Sequence, residues 1–237
     1  MKRTTYISIL ILLTVLFGQS KDLDLKKTWD GYKGEFQTRY GIEPAGQLEI
    51  KNFEGDIFIE GNEKNEFVYK EIFTIKSGNK TKARGIYHSN KAKLDKQDNK
   101  VILQGQKHAD AYYSRLEISV PKDFSVSSRG EGGDITVINL NGNLNLKTIG
   151  GDLEGTILQG DLQFLTAGGD ISIDNARGNL DIRTDGGDIE LEDIVSGIEI
   201  RTAGGDIALY NFKGSGSIKT SGGDIAMEIL EGESLNA

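Results

Sequence analysis

From Gly130 onward, apolar and polar side chains alternate in short runs bounded by glycine. Ile171-Ser172-Ile173 and Ile189-Glu190-Leu191 each follow a Gly-Gly-Asp corner, and Leu180-Asp181-Ile182-Arg183-Thr184 follows a second corner at Gly178-Asn179. Alternation of this kind is the mark of a strand with one buried face, and the runs are too short and too β-rich for helices. Gly-Gly-Asp-Ile/Leu begins at Gly132, Gly150, Gly168, Gly186, Gly204 and Gly222, always 18 residues apart. Threonine keeps the same step at Thr148, Thr166, Thr184, Thr202 and Thr220. The second corner recurs as Gly142-Asn143, Gly160-Asp161, Gly178-Asn179, Ser196-Gly197 and Gly214-Ser215. A short fixed period means a solenoid, because one unit cannot bury its apolar face alone. The pattern predicts an all-β fold: a single-stranded parallel β-helix, or β-solenoid, of 18-residue coils with two short strands and two tight corners each.

The inward columns follow from the same alternation. One runs Ile135, Leu153, Ile171, Ile189, Ile207 and Ile225, and the next Val137, Gly155, Ile173, Leu191, Leu209 and Met227. A third runs Leu140, Leu158, Ala176, Ile194, Phe212 and Leu230. The second strand adds Leu144, Leu162, Leu180 and Ile198, backed by Leu146, Phe164, Ile182, Ile200 and Ile218, and the threonine methyls complete the core at its corner. The half-pattern Gly46-Gln47-Leu48-Glu49-Ile50 leads to Gly55-Asp56-Ile57-Phe58-Ile59, which makes residues 46–59 an early turn of the same solenoid. Irregular turns fill the interval, and residues 76–100, rich in Lys, Asn and Asp, read as an excursion from the core. We therefore expect one solenoid domain over 41–237, irregular over 41–129 and regular over 130–237. Before it, residues 21–40 hold Trp29, Tyr32, Phe36 and Tyr40 and are the candidate N-terminal cap. No distinct capping segment follows the last repeat, so the C-terminal edge is expected to be covered by its own last residues, by further sequence or by another subunit, the last making it a candidate for self-association.

Composition narrows the function. Glycine numbers 31 in 237 residues, yet 37% of the chain is hydrophobic, so the excess marks corners rather than disorder. The absence of cysteine excludes a disulfide framework, a thiol nucleophile and a thiolate metal site. With only His88 and His108, a histidine-rich zinc site has little support, and a net charge of −8 argues against nucleic acid as a partner. Charge is uneven: residues 61–111 carry 11 Lys/Arg and 6 Asp/Glu, whereas 131–237 carry 6 and 19. Residues 1–20, with Lys2 and Arg3 ahead of a 13-residue uncharged stretch and small Gly18 and Ser20, have the layout of a signal peptide cut before Lys21. An uncleaved anchor would need about 20 apolar residues. The mature chain is thus expected in the periplasm, on the outer surface or secreted, with no transmembrane span once the signal is removed.

The run Leu116-Glu117-Ile118-Ser119-Val120-Pro121-Lys122-Asp123-Phe124, followed by serial Gly-Gly-Asp-Ile turns, resembles the bacterial putative-adhesin family of toast-rack β-solenoids, over about residues 40–237. The resemblance implies an exported solenoid of uncharacterised function, an adhesin or an envelope scaffold or sensor. It implies no catalytic residue.

Four features are candidates for chemistry. The aspartate ladder Asp134, Asp152, Asp170, Asp188, Asp206 and Asp224 reads either as a Ca²⁺ column or as corner residues accepting from local N–H or hydroxyl groups. The calcium β-roll pattern, with its nine-residue step, is missing, which favours the second. The outward column Lys147, Leu165, Arg183, Arg201 and Lys219, beside Asn145, Gln163, Asp181, Glu199 and Ser217, reads as an anionic-sugar surface or as a solvated strand face. The basic excursion, with His88, His108, Tyr87, Tyr112 and Tyr113, reads as a contact for envelope phosphate or acidic glycans, or as a mobile solvated loop. Finally, parallel β-helices include polysaccharide lyases and hydrolases, but no carboxylate pair, nucleophile elbow or phosphate loop stands out here. The expected protein is a non-enzymatic binding module or scaffold without cofactor, metal or catalytic site, whose partner is an envelope or surface glycan or protein. The alternative is a carbohydrate-active β-helix.

Overall fold

The computed structural model describes residues 23–106 and 111–236, so the leader at 1–20 and His108 lie outside the described residues. The chain opens on β1 (Lys26–Lys27) and β2 (Tyr32–Gly41), then builds β3 (Gln47–Phe53), β4 (Ile57–Asn62) and β5 (Glu66–Ile75). The excursion follows as α1 (Lys80–Asn90), the one helix among the described residues, and β6 (Lys93–Gln97). Next come β7 (Lys100–Gln104), β8 (Tyr112–Pro121), β9 (Ser125–Gly130), β10 (Ile135–Leu140) and β11 (Leu144–Lys147). The array ends with β12 (Leu153–Leu165), β13 (Ile171–Arg183), β14 (Ile189–Arg201), β15 (Ile207–Lys219) and β16 (Ile225–Asn236).

Parallel pairing runs at an offset of 18 residues, from Leu153↔Ile171 to Leu165↔Arg183 and from Ile171↔Ile189 to Arg183↔Arg201. The result is the expected parallel solenoid. One detail of the coil differs. From β12 to β15 the two short strands run on as one bent 13-residue strand, because pairing continues through the second corner at Gly160↔Gly178 and Asp161↔Asn179. The bend comes from one left-handed residue per coil, Asn139, Ile157, Asn175, Asp193 and Asn211, with φ between 51° and 60°. Ile157 and Asn175 both drop out of the ladder between the Thr156↔Asp174 and Leu158↔Ala176 pairs, so the strands bend together and keep their 18-residue register.

The inward columns are buried, with Ile135, Leu153, Ile171, Ile189 and Ile207 each at 1% exposure or less. Met227, on the last strand, is 40% exposed. The side chain of Leu230 lies outside the described residues.

Each coil has two sides, called here the first face (β4, β8 and β10) and the second face (β3, β7, β9 and β11). The early turn at 46–59 belongs to the stack, but out of chain order. On the second face β3 lies between β7 and β9, and on the first face β4 lies between β8 and β10. The chain therefore lays down an inner coil, leaves, adds the outer coil through β7 and β8, and steps back over the first to start β9.

Antiparallel strands close the N-terminal end of the stack. β5 runs antiparallel to β8, β2 to β5, and β6 to β7. Over this end sits α1. Asn79 caps the helix by accepting from the Lys82 N–H at 3.0 Å, and Ala83 and Tyr87, four residues apart, bury one face. They join Leu25, Tyr32, Phe73, Ile75 and Tyr112 in a small second core. The excursion is therefore largely folded structure. Of the aromatic residues in 21–40, Tyr32 enters this core, Tyr40 stacks on Phe67 at 4.9 Å, and Trp29 stays 95% exposed.

Candidate binding groove

The corner ladders are structural in their bonding. Asp134 Oδ1 accepts the Asp152 N–H at 2.9 Å, and the pattern continues through Asp170, Asp188 and Asp206 to the Asp224 N–H at 2.7 Å. Asp56 adds a rung below, accepting from Asp134 at 3.3 Å. Each aspartate thus caps the N–H of the aspartate one coil on, as the second reading of the ladder requires. The threonines do more than fill the corner with methyls. Thr184 Oγ1 donates to the Gly169 carbonyl at 2.9 Å and accepts the Gly187 N–H at 3.2 Å, and Thr166, Thr202 and Thr220 repeat this. Among the described residues, no group of three or more His, Cys, Asp or Glu side chains is placed to hold a metal ion.

Outward residues of the second face line a long groove of about 910 Å³. Its polar row is Glu49, Ser127, Asn145, Gln163, Asp181 and Glu199, one per coil, with Asn143, Asp161 and Asn179 along the corner side. The row is one register line, since Glu49 pairs with Ser127, Ser127 with Asn145, Asn145 with Gln163, Gln163 with Asp181 and Asp181 with Glu199. Gln163 Nε2 donates to Asp181 Oδ2 at 2.9 Å, and Asn179 Nδ2 to Asp161 Oδ1 at 2.9 Å, so the side chains are held along the solenoid axis. In the basic column beside the groove, Arg183 and Arg201 have their charges engaged. Arg183 pairs with Asp181 at 3.0 Å and Glu199 at 3.6 Å, and Arg201 pairs with Glu199. At the far end Lys100 and Lys51 each approach Glu49 at 2.8 Å and hold its carboxyl below the usual range. The arrangement is a ladder in which hydroxyl and amide groups at Ser127, Asn145 and Gln163 lie between carboxylates at Glu49 and at Asp181 and Glu199, with a rise of about 4.8 Å per coil. It suits a long ligand rich in hydroxyl or amide groups better than one carrying a row of negative charges.

The sequence located the regular half of this row and missed Glu49, Ser127 and Lys100. The signal for Glu49 was present, because Leu48 and Ile50 flank it with the same alternation that Leu144 and Leu146 place around Asn145.

In the basic end, Tyr87 and Tyr112 are buried, and of the three tyrosines singled out only Tyr113 is exposed, at 52%. Lys76 lies 4.9 Å above the Tyr113 ring, and Lys96 lies 5.4 Å above that of Tyr40, so part of the basic charge rests on aromatic faces. Inside the same end, Glu71 is 1% exposed and accepts from the Tyr69 and Tyr112 hydroxyls at 2.8 and 2.7 Å. Burial pushes its carboxyl up against the pull of these donors.

No helix among the described residues is long and apolar enough to cross a membrane. No curated protein matches the chain. Among solved structures, a putative adhesin of Bacteroides fragilis is 16% identical with a TM-score of 0.51, and the match covers 86% of this chain and 97% of that one. A putative cell adhesion protein of Clostridium sporogenes is 12% identical at a TM-score of 0.37, covering 85% of this chain and 98% of that one. A putative adhesin of Parabacteroides merdae is 11% identical, also at 0.37, covering 86% and 96% respectively. At such identities the first likeness is one of fold. Matched over residues 48–237 by the family model described as Toastrack DUF4097, the chain belongs to that family.

Proposed function

We propose that this protein is an exported, non-enzymatic β-solenoid, an adhesin-like or envelope scaffold that binds an envelope or surface glycan or protein along the groove of its second face. One observation carries the reading: the polar row from Glu49 to Glu199 continues through successive coils in register and lines a groove. A surface of that shape favours an extended ligand, held by many weak polar contacts rather than one deep pocket. The adhesin-like fold of the Bacteroides fragilis protein agrees with it. The row carboxylates Glu49, Asp181 and Glu199 are tied to Arg183, Arg201, Lys51 and Lys100, and Asp161 accepts from Asn179, a bonding pattern that favours binding over general acid–base chemistry.

A glycan array joined to an activity screen on acidic polysaccharides tests the proposal. Retention without turnover is expected, with retention lowered by Gln163→Ala or Asn145→Ala. Turnover of any polysaccharide establishes the carbohydrate-active alternative instead. Export is tested by N-terminal sequencing of the protein recovered from cell fractions: a mature end at Lys21 outside the cytoplasm is expected, and an intact Met1 in the cytoplasm overturns it.

A further inference from the structure

The first face carries a second concavity. Where β5 and β2 leave the parallel stack and run antiparallel beside β8, the sheet forms a cleft of about 630 Å³. Gln37, Phe58, Glu60, Val68, Lys70 and Glu117 line it. Phe58 faces Glu117 on one side and Thr136 on the other. Phe58 is 37% exposed. Continuing from Thr136, the same outward column reads Glu154, Ser172, Glu190, Ala208 and Ala226, so an aromatic occurs in it only where the cleft lies. An isolated exposed apolar residue needs no explanation, but one inside a concavity and ringed by polar groups does.

We propose that this cleft is a binding site for a neutral pyranose of a glycan, with Phe58 as the stacking platform. A pyranose has an apolar C–H face and a rim of hydroxyls. Phe58 offers the matching apolar surface, and Val68 lines the same cleft two strands away. The Gln37 amide donates and accepts, and the Glu60 and Glu117 carboxylates accept from hydroxyls. Charge selects the neutral sugar. The cleft-lining cations are Lys70 and Arg115, and both are already paired. Lys70 Nζ lies 3.3 Å from Glu117 and 3.6 Å from Glu35, and Arg115 Nη2 lies 3.0 Å from Glu117. A uronate would meet the Glu60 and Glu117 carboxylates with no unpaired cation among the lining residues to offset them. The site lies on the other face from the groove and does not depend on the reading of the groove.

The test is an NMR titration of the full mature chain with maltotetraose, cellotetraose, chitotetraose and, as the acidic counterpart, tetragalacturonate. At least one neutral tetrasaccharide is expected to bind and to shift the Phe58 ring resonances. Phe58→Ala is expected to weaken that binding by about tenfold or more, equivalent to about 1.4 kcal/mol, while Phe58→Tyr keeps it. Phe58 lies outside the core, so Phe58→Ala should stay folded with a melting temperature only slightly below wild type, and Ser172→Ala, farther along the same column and outside the cleft, should leave this affinity unchanged. The proposal is overturned if no neutral tetrasaccharide binds, if the uronate binds as tightly, or if Phe58→Ala retains affinity. A concentration-dependent dimer that Phe58→Ala abolishes overturns it too, since a second copy would then be what covers the ring.

Discussion

A Cβ added to Gly187 would overlap the carbonyl oxygen of Gly169 in the adjacent coil, and the same holds for Gly151, Gly169, Gly205 and Gly223 against their own predecessors. The neighbouring Gly186 has open space, with nothing nearer than 3.7 Å. The two glycines of each corner therefore differ in kind: the second is set by the close approach of stacked backbones, and the first is not. Gly187→Ala is expected to cost about 3 kcal/mol, as overpacking does, and Gly186→Ala less than about 0.5 kcal/mol. Urea denaturation of both variants checks this, and equal losses would remove the distinction. Ile157 is the exception in a column of Asn and Asp, a β-branched residue at φ 56° with 51% of its surface exposed. Asparagine tolerates this conformation far better, so Ile157→Asn should stabilise the protein by about 1 kcal/mol and raise Tm by about 2–4 °C. A lower Tm would show that the Ile157 side chain makes contacts worth more than the strain.

At the scale of elements, β5 joins two cores, with Phe67 and Tyr69 in the main one, Phe73 and Ile75 in the second, and Glu71 between them. The folded-state pKa of Glu71 stands above its ordinary value of 4.5, so the fold favours the protonated carboxyl. The stability linked to this group is full below the unfolded-state pKa and is lost as pH rises through the folded-state value. Glu71→Gln should flatten that decline and melt higher than wild type at pH 8. A variant that melts lower at pH 8 would mean that the four groups around the carboxyl, Tyr69, Tyr112, Ser114 and the Ala92 N–H, hold the charged form instead. Elements also differ in how legible they were. The alternation of Ile189-Glu190-Leu191 identifies a strand locally, because its period reports the buried face directly. Helix α1 gave no such signal: its buried pair, Ala83 and Tyr87, is flanked by Lys80, Lys82 and Arg84, and its apolar face is defined by the sheet beneath it. The groove was half legible for the same reason, since regular repeats place Gln163 and Asp181 in one column, whereas Glu49 joins them only through pairing across distant strands.

For the whole molecule, the two ends of the stack are unlike. The N-terminal end finishes in antiparallel strands and a helix, which do not continue a parallel array. At the other end β16 pairs only with β15 among the described residues, which leaves one strand edge without a backbone partner. Such an edge is a template for another strand: a mass that grows with concentration in light scattering supports self-association there, and a strict monomer at all concentrations rejects it. Two kinds of information built this protein. The period, the parallel direction and the inward columns are legible in the linear chain, because stacking identical units in register demands equal spacing and a repeated alternation that any single coil displays. The order of the irregular coils, the closure of the first end and the approach of Lys100 to Glu49 in the groove come from the folded chain alone. Those depend on contacts between residues far apart in the chain, such as the Asp134 N–H on Asp56 across 78 positions, and nothing local in either segment distinguishes one neighbouring coil from another.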